Sequence, residues 1–330
     1  MKRLEWLGKI DDLSALPAGA GAFFLRDKDN SLLLADCTTN LPAQLIELLG
    51  PMRERTAELR DETAFIEFAA TSSLLDAAVA MCKVTAVEQS RLPTSTGHCY
   101  LGVRFHQSPY VTVSSFTIED YYYVGPFTSR FDLHDVIATL SALRQTPACK
   151  DDKFPCERLA DKLCLGFCVE SSISERISYF FRYLLQPNFL LLDELHETRE
   201  KQMDNLDFAA ADLLDRQIRA LDAYYDKLCM FHTTHQLNTT IERDSSLIHI
   251  ENGRLAWVQQ EKGRTQILGR PETHEPSARE YLAFDKSQYA ERRAVYLALR
   301  EETPGLVRSL CDNSVQRFAE ILKGDTHADS

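Results

Sequence analysis

Apolar positions in the first hundred residues alternate or recur at short intervals, and they predict a small mixed unit. Residues 22–25 and 31–35 alternate around the polar turn 26–30 and predict a β-hairpin. Helical periodicity and a short apolar run predict helices at 41–49, 52–60 and 72–84 and a strand at 64–68. These elements indicate an α+β unit at the start of the chain.

The pattern changes after residue 98, where further strands and then long helices are predicted. Residues 99–104 and 110–115 alternate as a strand pair that leads to the aromatic run 121–127. The turn Glu251-Asn252-Gly253, between two alternating segments, is the strongest hairpin signal in the chain. Helical periodicity is found at 132–145, 172–183, 190–230 with a break near 204–207, 277–300 and 304–323. Short sheets and helices therefore alternate along the chain.

Length and composition indicate a globular protein of two or three compact units. The chain has 330 residues, 44% of them hydrophobic, with 13 glycines and 12 prolines. No apolar run approaches the roughly 18 residues that a bilayer span needs. The first residues, Met1-Lys2-Arg3, do not lead into the apolar stretch of a signal peptide. We therefore expect a cytoplasmic protein without a membrane partner.

The charge balance is acidic, with 37 Lys and Arg against 49 Asp and Glu and a formal net charge of -12. Affinity for phosphate backbones comes chiefly from neutralisation by Lys and Arg, so this balance argues against tight, non-specific DNA binding. A local basic patch is still compatible with this composition, since the net charge does not determine where the charged residues lie. A protein partner is the better-supported expectation.

Nine cysteines, an odd number without secretory features, favour free thiols and metal ligation over a disulfide framework. Four of them, Cys149, Cys156, Cys164 and Cys168, fall within twenty residues. Four thiolates suit either tetrahedral zinc or an iron-sulfur cluster, and the spacing does not decide between them. The alternative is that cysteines serve as small buried apolar residues. That alternative is expected to describe the other five, Cys37, Cys82, Cys99, Cys229 and Cys311.

Residues 16–30 and 32–41 resemble the opening of the GIY-YIG endonuclease domain of the UvrC family. In that family two strands carry tyrosines, the next helix carries an arginine, and a later helix supplies a metal-binding glutamate. Such groups help to activate a water, neutralise charge that develops on the phosphate and hold a divalent ion. The resemblance implies a similar fold for this segment. The alternative is an unrelated α+β core.

The chain departs from the family's chemistry at each aligned position. The replacements are Phe23 and Leu34 for the tyrosines, Gln44 for the arginine and Met81 for the glutamate. Asp36 stands where the second motif has glycine, and Asp76 is the one carboxylate in the later helix. Losing the cation and the metal ligand together is expected to lower the rate by orders of magnitude. The resemblance thus predicts a pseudo-nuclease without catalytic residues.

The cysteine cluster also has the order found in UvrC proteins, where a Tyr-Phe-Gly-Pro-Tyr type motif and a helix precede four cysteines. The related motif here lies at 123–129. The first gap, 149–156, is shorter than the family's, and Phe167 stands where a proline usually precedes the last cysteine. The region can hold an iron-sulfur cluster in the family. The resemblance therefore favours a 4Fe-4S cluster, with zinc as the alternative.

Residues 195–221 resemble the UVR motif, the helical hairpin through which UvrC and UvrB bind one another. Apolar residues at 211, 214, 218, 221, 225 and 228 keep a helical stripe, and Asp207 is placed to cap the second helix. The resemblance implies a UvrB-type partner. The predicted partner-binding residues are Leu195, Leu206, Phe208, Ala211, Leu214, Ile218 and Leu221.

The hairpin departs from the motif at several positions. Arg199 replaces an apolar residue of the first helix, Asp212 replaces an alanine, and Asp215-Arg216 inverts the family's Arg-Asp order. These changes predict a partner that differs from a standard UvrB. The alternative is an ordinary charged hairpin packed on its own domain.

The last hundred residues carry no assigned chemistry. They are too few for both the RNase H-like nuclease and the helix-hairpin-helix modules that follow the hairpin in UvrC. We interpret His249, Glu251 and Asp312 as ordinary surface residues. His232 and His235 lack further ligands for a metal and are also expected at the surface.

Together these features predict an α+β protein with a GIY-YIG-like mixed sheet, a cysteine-cluster region, a helical hairpin and a small α+β tail. The predicted segments are 1–90 for the degenerate GIY-YIG-like domain, 91–145 for a β-rich extension and helix, 146–185 for the cysteine cluster, 189–230 for the UVR-like hairpin and 231–330 for the tail.

The predicted function is that of a catalytically inactive UvrC-like protein that binds a UvrB-type partner in nucleotide excision repair, with DNA as a weaker candidate ligand. One rival is an active incision endonuclease similar to Cho, a short UvrC homologue, with a rearranged site. Enzymes of that kind keep the tyrosine, arginine and glutamate that this sequence lacks. Another rival is an accessory interaction module of a proofreading exonuclease.

Overall fold

A computed structural model describes twelve segments of the chain and confirms the predicted α+β class. The described residues are 1–8, 10–14, 16–50, 57–88, 98–104, 110–118, 120–144, 180–235, 237–243, 246–260, 263–269 and 278–328. The four clustered cysteines, Cys149, Cys156, Cys164 and Cys168, lie outside these residues, as does the predicted helix 172–183 before residue 180.

The chain forms two compact units, each assembled from separate segments. The first unit comprises Met1–Thr96, Thr233–Glu275 and Asp285–Leu310. The second unit comprises Gly97–His232, Pro276–Phe284 and Cys311–Ser330. The five segments predicted from the sequence stay a prediction.

The first unit begins with a four-stranded antiparallel sheet of order β1-β4-β2-β3. Its strands are β1 Lys2–Glu5, β2 Gly21–Arg26, β3 Leu32–Thr38 and β4 Phe65–Ala70. The helices are α1 Ile10–Ser14, α2 Leu41–Leu49, α3 Ala57–Glu62 and α4 Leu74–Thr85. The predicted hairpin is confirmed as β2 and β3. Strand β1 was not predicted, because Leu4 is the one apolar residue among its four.

Side-chain caps explain where two of these helices begin. The Asn40 side chain accepts a hydrogen bond from the Ala43 amide at 3.2 Å, so α2 starts directly after it. The Ser73 hydroxyl accepts from the Asp76 amide at 3.1 Å and starts α4. Both helices therefore begin within two residues of the positions predicted from the sequence.

A second antiparallel sheet of the first unit has the order β11-β10-β9-β8. Its strands are β8 Thr239–Arg243, β9 Ser246–Glu251, β10 Arg254–Gln260 and β11 Thr265–Ile267. The predicted hairpin turn is confirmed, and Asn252 and Gly253 both have positive φ, at 49° and 73°. Two such residues are what a two-residue β-hairpin turn requires. Helix α8, Tyr289–Glu302, packs against α4, β3 and β10.

The second unit contains a third four-stranded sheet, of order β12-β7-β5-β6. Its strands are β5 Cys99–Val103, β6 Val111–Ser114, β7 Tyr122–Phe127 and β12 Leu282–Ala283. Its helical elements include α5 Arg130–Arg144, a helical stretch at 180–185, α6 Phe189–Asp204 and α7 Phe208–Thr234. The last helix, α9 Pro304–Ala328, enters this unit at Cys311.

Aromatic rings form the core between β7 and α7. Phe127 of β7 stacks on Tyr224 of α7 with ring centroids 5.5 Å apart, and meets Phe231 edge-on at 5.2 Å. The Tyr224 hydroxyl donates to the carbonyl of Leu184. The aromatic run noted in the sequence is therefore a buried strand that anchors the long helix.

The predicted helix at 277–300 is wrong in its first half. Residues 278–280 and 286–288 form 3-10 turns, Leu282 and Ala283 pair in parallel with β7, and the helix begins at Tyr289. Leu282 lies opposite Val124, more than 150 residues away in sequence. A tertiary pairing of this kind overrides local helical periodicity. Among the described residues, no helix is long and apolar enough to cross a membrane.

Candidate functional site

Two of the nuclease positions lie together inside the sheet of β1 to β4. Phe23 is fully buried and Leu34 is 6% exposed. Both belong to one hydrophobic cluster with Leu41 and Leu45 of α2. Gln44, on the same helix, is partly exposed. The positions of the two motif tyrosines are therefore occupied by core side chains without a polar atom.

The fourth position, Met81, lies on a helix at the other face of that sheet. Side chains alternate between faces along a strand, so Ala22 points away from the side that Phe23 occupies. Cys37 pairs with Ala22 across the hairpin and interacts electrostatically with Cys82 of α4. Helix α4 thus covers the face opposite to Phe23, and Met81 is buried on it. The structure brings Phe23 and Leu34 together but does not bring Met81 to them.

The two carboxylates near these positions have different surroundings. Asp76 accepts hydrogen bonds from the hydroxyls of Ser72 and Ser73, at 2.7 and 2.6 Å. The Arg243 guanidinium lies 3.9 Å from its Oδ2. Asp76 therefore serves the start of α4, where a negative charge is favourable.

Asp36 is a partly buried carboxyl on β3. Burial raises its pKa to about 6, although a hydrogen bond from the Cys37 amide at 2.7 Å and the charge of Arg293 act in the opposite direction. Within the described segments, no group of three or more His, Cys, Asp or Glu side chains could hold a metal ion. Because burial disfavours its charged form, the Asp36 carboxylate destabilises the folded protein at neutral pH.

We expect Asp36→Asn to raise the free energy of unfolding at pH 7 by about 1–3 kcal/mol. The pKa of Asp36 in the folded protein lies above the ordinary value of 3.8, so between about pH 4 and pH 6 the folded protein holds a proton that the unfolded chain has released. At pH 7 the folded protein must bury the charged carboxylate. The stabilisation that the protonated Asp36 carboxyl gives to the folded protein is complete below about pH 4 and is lost as the pH rises through about 6. Urea unfolding of both proteins at pH 7 and pH 4 measures the effect. The gain should vanish at pH 4, and a variant less stable than wild type at pH 7 would refute this account.

The five described cysteines are buried and free, as the sequence predicts for them. The Cys229 and Cys311 sulfurs lie 3.6 Å apart and form a weak hydrogen bond. Burial raises the pKa of the Cys37 and Cys82 thiols well above the usual value. A buried thiol with a raised pKa is a poor nucleophile. These cysteines are therefore structural.

The predicted helical hairpin is confirmed as α6 and α7. The Asn188 side chain accepts from the Leu191 amide at 3.0 Å and starts α6. The Asp207 carboxylate accepts from the Ala210 amide at 3.1 Å and starts α7, which confirms its predicted role as a cap. Leu206, in the turn between them, has a positive φ of 60°.

The apolar stripe of the hairpin faces inward. Leu195, Ala211, Ile218 and Leu221 are all buried, and Leu214 is half-buried. A stripe at helical spacing is the usual way for a helix to join its own core. Five of the seven predicted partner-binding residues thus already pack within the chain.

The other two predicted residues, Leu206 and Phe208, lie at the exposed tip of the hairpin. Leu206 is 72% exposed and Phe208 is 58% exposed. Met203 and Leu213 are also exposed, at 43% and 50%, although the sequence did not single them out. The exposure of Leu213 could have been predicted from the sequence. Leu213 and Leu214 are adjacent, and two neighbouring residues on a helix cannot both belong to one narrow buried stripe. These four residues form the surface that we call the hairpin tip.

Two departures from the UVR pattern contact each other. The Arg199 Nη1 atom of α6 lies 2.9 Å from Oδ1 of Asp215 in α7, and Arg199 also pairs with Glu200. The guanidinium lowers the pKa of the Asp215 carboxyl. An arginine at 215, as in the family's order, would place two cations together. The two substitutions therefore compensate each other across the hairpin.

The histidine pair is not at the surface, contrary to the sequence-based expectation. His232 is 1% exposed and His235 is 7% exposed. The Nε2 atom of His232 lies 2.9 Å from the carbonyl of Leu185, and its Nδ1 lies 2.9 Å from the Ser314 hydroxyl. The carbonyl only accepts, so Nε2 donates and Nδ1 accepts. Burial lowers the pKa of His232 to about 4, and its imidazole is a neutral structural link.

The other tail residues lie nearer to solvent, as expected. His249 and Glu251 are partly exposed and Asp312 is exposed. His249 stacks on Trp257 with ring centroids 4.9 Å apart.

Comparison with curated proteins supports a UvrC-like relationship. The chain is 24% identical over 316 residues to the UvrABC system protein C of Haloarcula marismortui, a match that covers 88% of this chain and 53% of that protein. It is 22% identical over 233 residues to the UvrABC system protein C of Moorella thermoacetica, which covers 66% of this chain and 38% of that protein. The chain thus spans about half or less of these relatives. No protein-family model and no solved structure matches it. The resemblance predicted from the sequence is confirmed.

Proposed function

We propose that this chain is a catalytically inactive UvrC-like protein that works in nucleotide excision repair by binding a UvrB-type partner. The relationship to UvrC proteins suggests a link to that repair process. The main support for catalytic inactivity is the burial of Phe23 and Leu34 in the hydrophobic cluster that includes residues of α2. The exposed hairpin tip supports the binding role.

The chemistry of strand cleavage needs polar groups that this region lacks. Phosphodiester hydrolysis is accelerated by a metal ion, by a base for the attacking water and by a cation on the phosphate. Phe23 and Leu34 supply no hydroxyl, Gln44 carries no charge, and Met81 is a poor ligand for hard divalent ions. Asp76 already accepts two hydrogen bonds at the start of α4. These observations favour a scaffold over an enzyme.

An incision assay tests the inactive state. Purified protein is incubated with damaged duplex and flap DNA in magnesium or manganese, beside a UvrC protein that keeps the tyrosines, arginine and glutamate. The proposal predicts no product above the blank without protein. Metal-dependent incision that Asp36→Asn or Asp76→Asn abolishes would overturn it and favour the active-enzyme alternative.

The partner-binding role is supported by the composition of the hairpin tip. Single exposed apolar residues are ordinary, but four within eleven residues at the end of one hairpin favour an interaction surface. An aromatic ring within such a patch is a frequent anchor in protein interfaces. The net charge of -12 does not favour phosphate, so the proposal assigns DNA contact chiefly to the partner.

We also propose that Cys149, Cys156, Cys164 and Cys168 bind a 4Fe-4S cluster, or zinc in its place. The support is the sequence pattern and the UvrC relationship, since these four residues lie outside the described segments. Cysteine thiolates are the usual ligands of both groups. The proposed role is structural, because metal binding is coupled to the folding of the segment that carries the ligands.

Removal of the metal is expected to release four thiols. The chain has nine cysteines, and the five described ones are buried and free, so the four clustered thiols are the ones that a metal would protect. Native protein, purified anaerobically, is titrated with a thiol reagent before and after a chelator, and its iron, zinc and sulfide are measured. Cys168→Ala should lose metal, whereas Cys99→Ala should keep it. Metal-free wild-type protein would reject the proposal.

A further inference from the structure

Acidic residues are interspersed with the apolar residues of the hairpin tip along the turn between α6 and α7. Asp204, Asn205, Leu206, Asp207 and Phe208 follow one another around the turn, and all five are exposed. Asp204 and Asp207 form no ion pair with any other described residue. Asp207 uses one oxygen as the cap of α7. Leu206 and Phe208 are thus each next to Asp207 in sequence.

The surrounding hairpin has the same sign of charge. Residues 189–222 contain nine Asp and Glu against four Lys and Arg, a net charge of -5. Two of the four cations are already engaged within the hairpin, Arg199 with Asp215 and Arg216 with Asp212. The acidic surplus is therefore not cancelled locally, and it adds to the field at the tip.

Such a surface selects its partner by charge. Complementary charges around an apolar contact raise the association rate and disfavour partners of the same sign. Phosphate groups of nucleic acid or of an anionic membrane would be repelled by Asp204 and Asp207. A segment with Lys or Arg on either side of an apolar anchor would meet both features. A helix offers such residues at intervals of three or four positions.

We propose that the hairpin tip binds a basic amphipathic helical segment of a protein partner. The apolar face of that segment covers Leu206, Phe208 and their neighbours Met203 and Leu213, while its cations pair with Asp204 and Asp207. This inference rests on the proposed partner-binding function and adds the chemistry of the partner's surface. It accounts for the combination of an acidic rim and an apolar centre at one end of one hairpin.

The test removes the two charges without disturbing the cap. Asp204→Asn/Asp207→Asn keeps the size of both side chains, and asparagine is as good a helix cap as aspartate. Asp193→Asn/Asp222→Asn makes the same change in net charge on the same hairpin, away from the tip, at two exposed positions. Circular dichroism checks that both variants keep their helices.

Binding of the full chain to the UvrB-type protein of the same organism is measured by calorimetry at 50 and 200 mM salt. The inference predicts that salt weakens wild-type binding and that the tip variant binds about 3- to 10-fold more weakly at low salt. The control variant should bind like wild type. Wild-type binding that neither salt nor the tip variant changes would overturn the inference and leave the proposed function standing.

The remaining outcomes are also decisive. Absence of wild-type binding would reject the proposed function, and the inference with it. Titration of single-stranded and duplex DNA oligonucleotides is the second arm of the experiment. If DNA bound to wild type and the tip variant weakened it, the tip would be a nucleic-acid site and the inference would be wrong. If DNA binding were absent or equal in all three proteins, the protein partner would stay the ligand of the tip.

Discussion

Gly253→Ala is expected to lower the free energy of unfolding of the first unit by at least about 3 kcal/mol. Gly253 has a φ of +73° in the turn between β9 and β10, a conformation that costs alanine about 1 kcal/mol or more. A β-carbon there would lie 2.0 Å from the Thr234 carbonyl oxygen and 2.5 Å from Nη1 of Arg292. Those two atoms form a buried hydrogen bond of 2.7 Å, which the methyl group would force apart.

Gly263→Ala is the matched control for this substitution. Gly263 has almost the same φ, +74°, and within the described part of the chain no non-neighbouring residue has an atom within 4 Å of the position that a β-carbon would take there. The control should therefore lose only about 1 kcal/mol, from the backbone conformation alone. Both tryptophans, Trp6 and Trp257, belong to the first unit, so urea unfolding followed by tryptophan fluorescence reports on it. Equal destabilisation by the two substitutions would contradict the packing around Gly253.

Acid is expected to destabilise the second unit through His232, by about 3 kcal/mol between pH 6.5 and pH 4. Burial lowers the pKa of this imidazole to about 4 in the folded protein. Between the ordinary pKa of 6.5 and the folded value of about 4, the unfolded chain binds a proton that the folded chain excludes, so the free energy of unfolding falls as the pH falls. The Leu185 carbonyl and the Ser314 hydroxyl hold the neutral form, and protonation of Nδ1 removes the acceptor for that hydroxyl.

His232→Asn isolates this effect from the other titrating groups. The variant should be less stable than wild type at pH 7, because it leaves one buried partner without its hydrogen bond. Its stability should then fall less steeply with acid. Urea unfolding followed by far-UV circular dichroism at pH 7 and 4.5 measures the difference. Asp36 titrates in the opposite direction, so the comparison is made between the two proteins at each pH. Parallel losses in both would refute the role of His232.

Local features of the fold could be predicted from the sequence because they depend on neighbouring residues. The Asp207 cap, the break before α7 and the turn at Asn252 and Gly253 each follow from residues a few positions apart. The apolar stripe of α7 was identified from its spacing. The surface against which this stripe packs could not be predicted, because a helical stripe can be buried against its own chain or against a partner. The structure assigns most of it to the chain's own core.

Features that depend on distant segments could not be predicted. Strand β12 pairs with β7 across more than 150 residues, and both compact units are assembled from separate stretches. The burial of His232 depends on Leu185 and Ser314, which approach it only in the folded chain. Alignment of Phe23 and Met81 to one nuclease site gave no sign that helix α4 lies on the opposite face of the sheet from Phe23. Arg199 and Asp215 both differ from the UVR pattern, but the sequence does not show that they contact each other. The ion pair between them forms only when α6 and α7 pack side by side.

Whether the hairpin tip binds a UvrB-type protein can be measured by calorimetry with that protein from the same organism, with wild type, Phe208→Asp and Ile267→Asp compared. Phe208 lies at the hairpin tip, whereas Ile267 is a 72% exposed apolar residue of the first unit and serves as the matched control. The account predicts that wild type and Ile267→Asp bind alike and that Phe208→Asp binds at least about tenfold more weakly, as for an anchor residue. No binding by wild type, or equal binding by all three proteins, would contradict it.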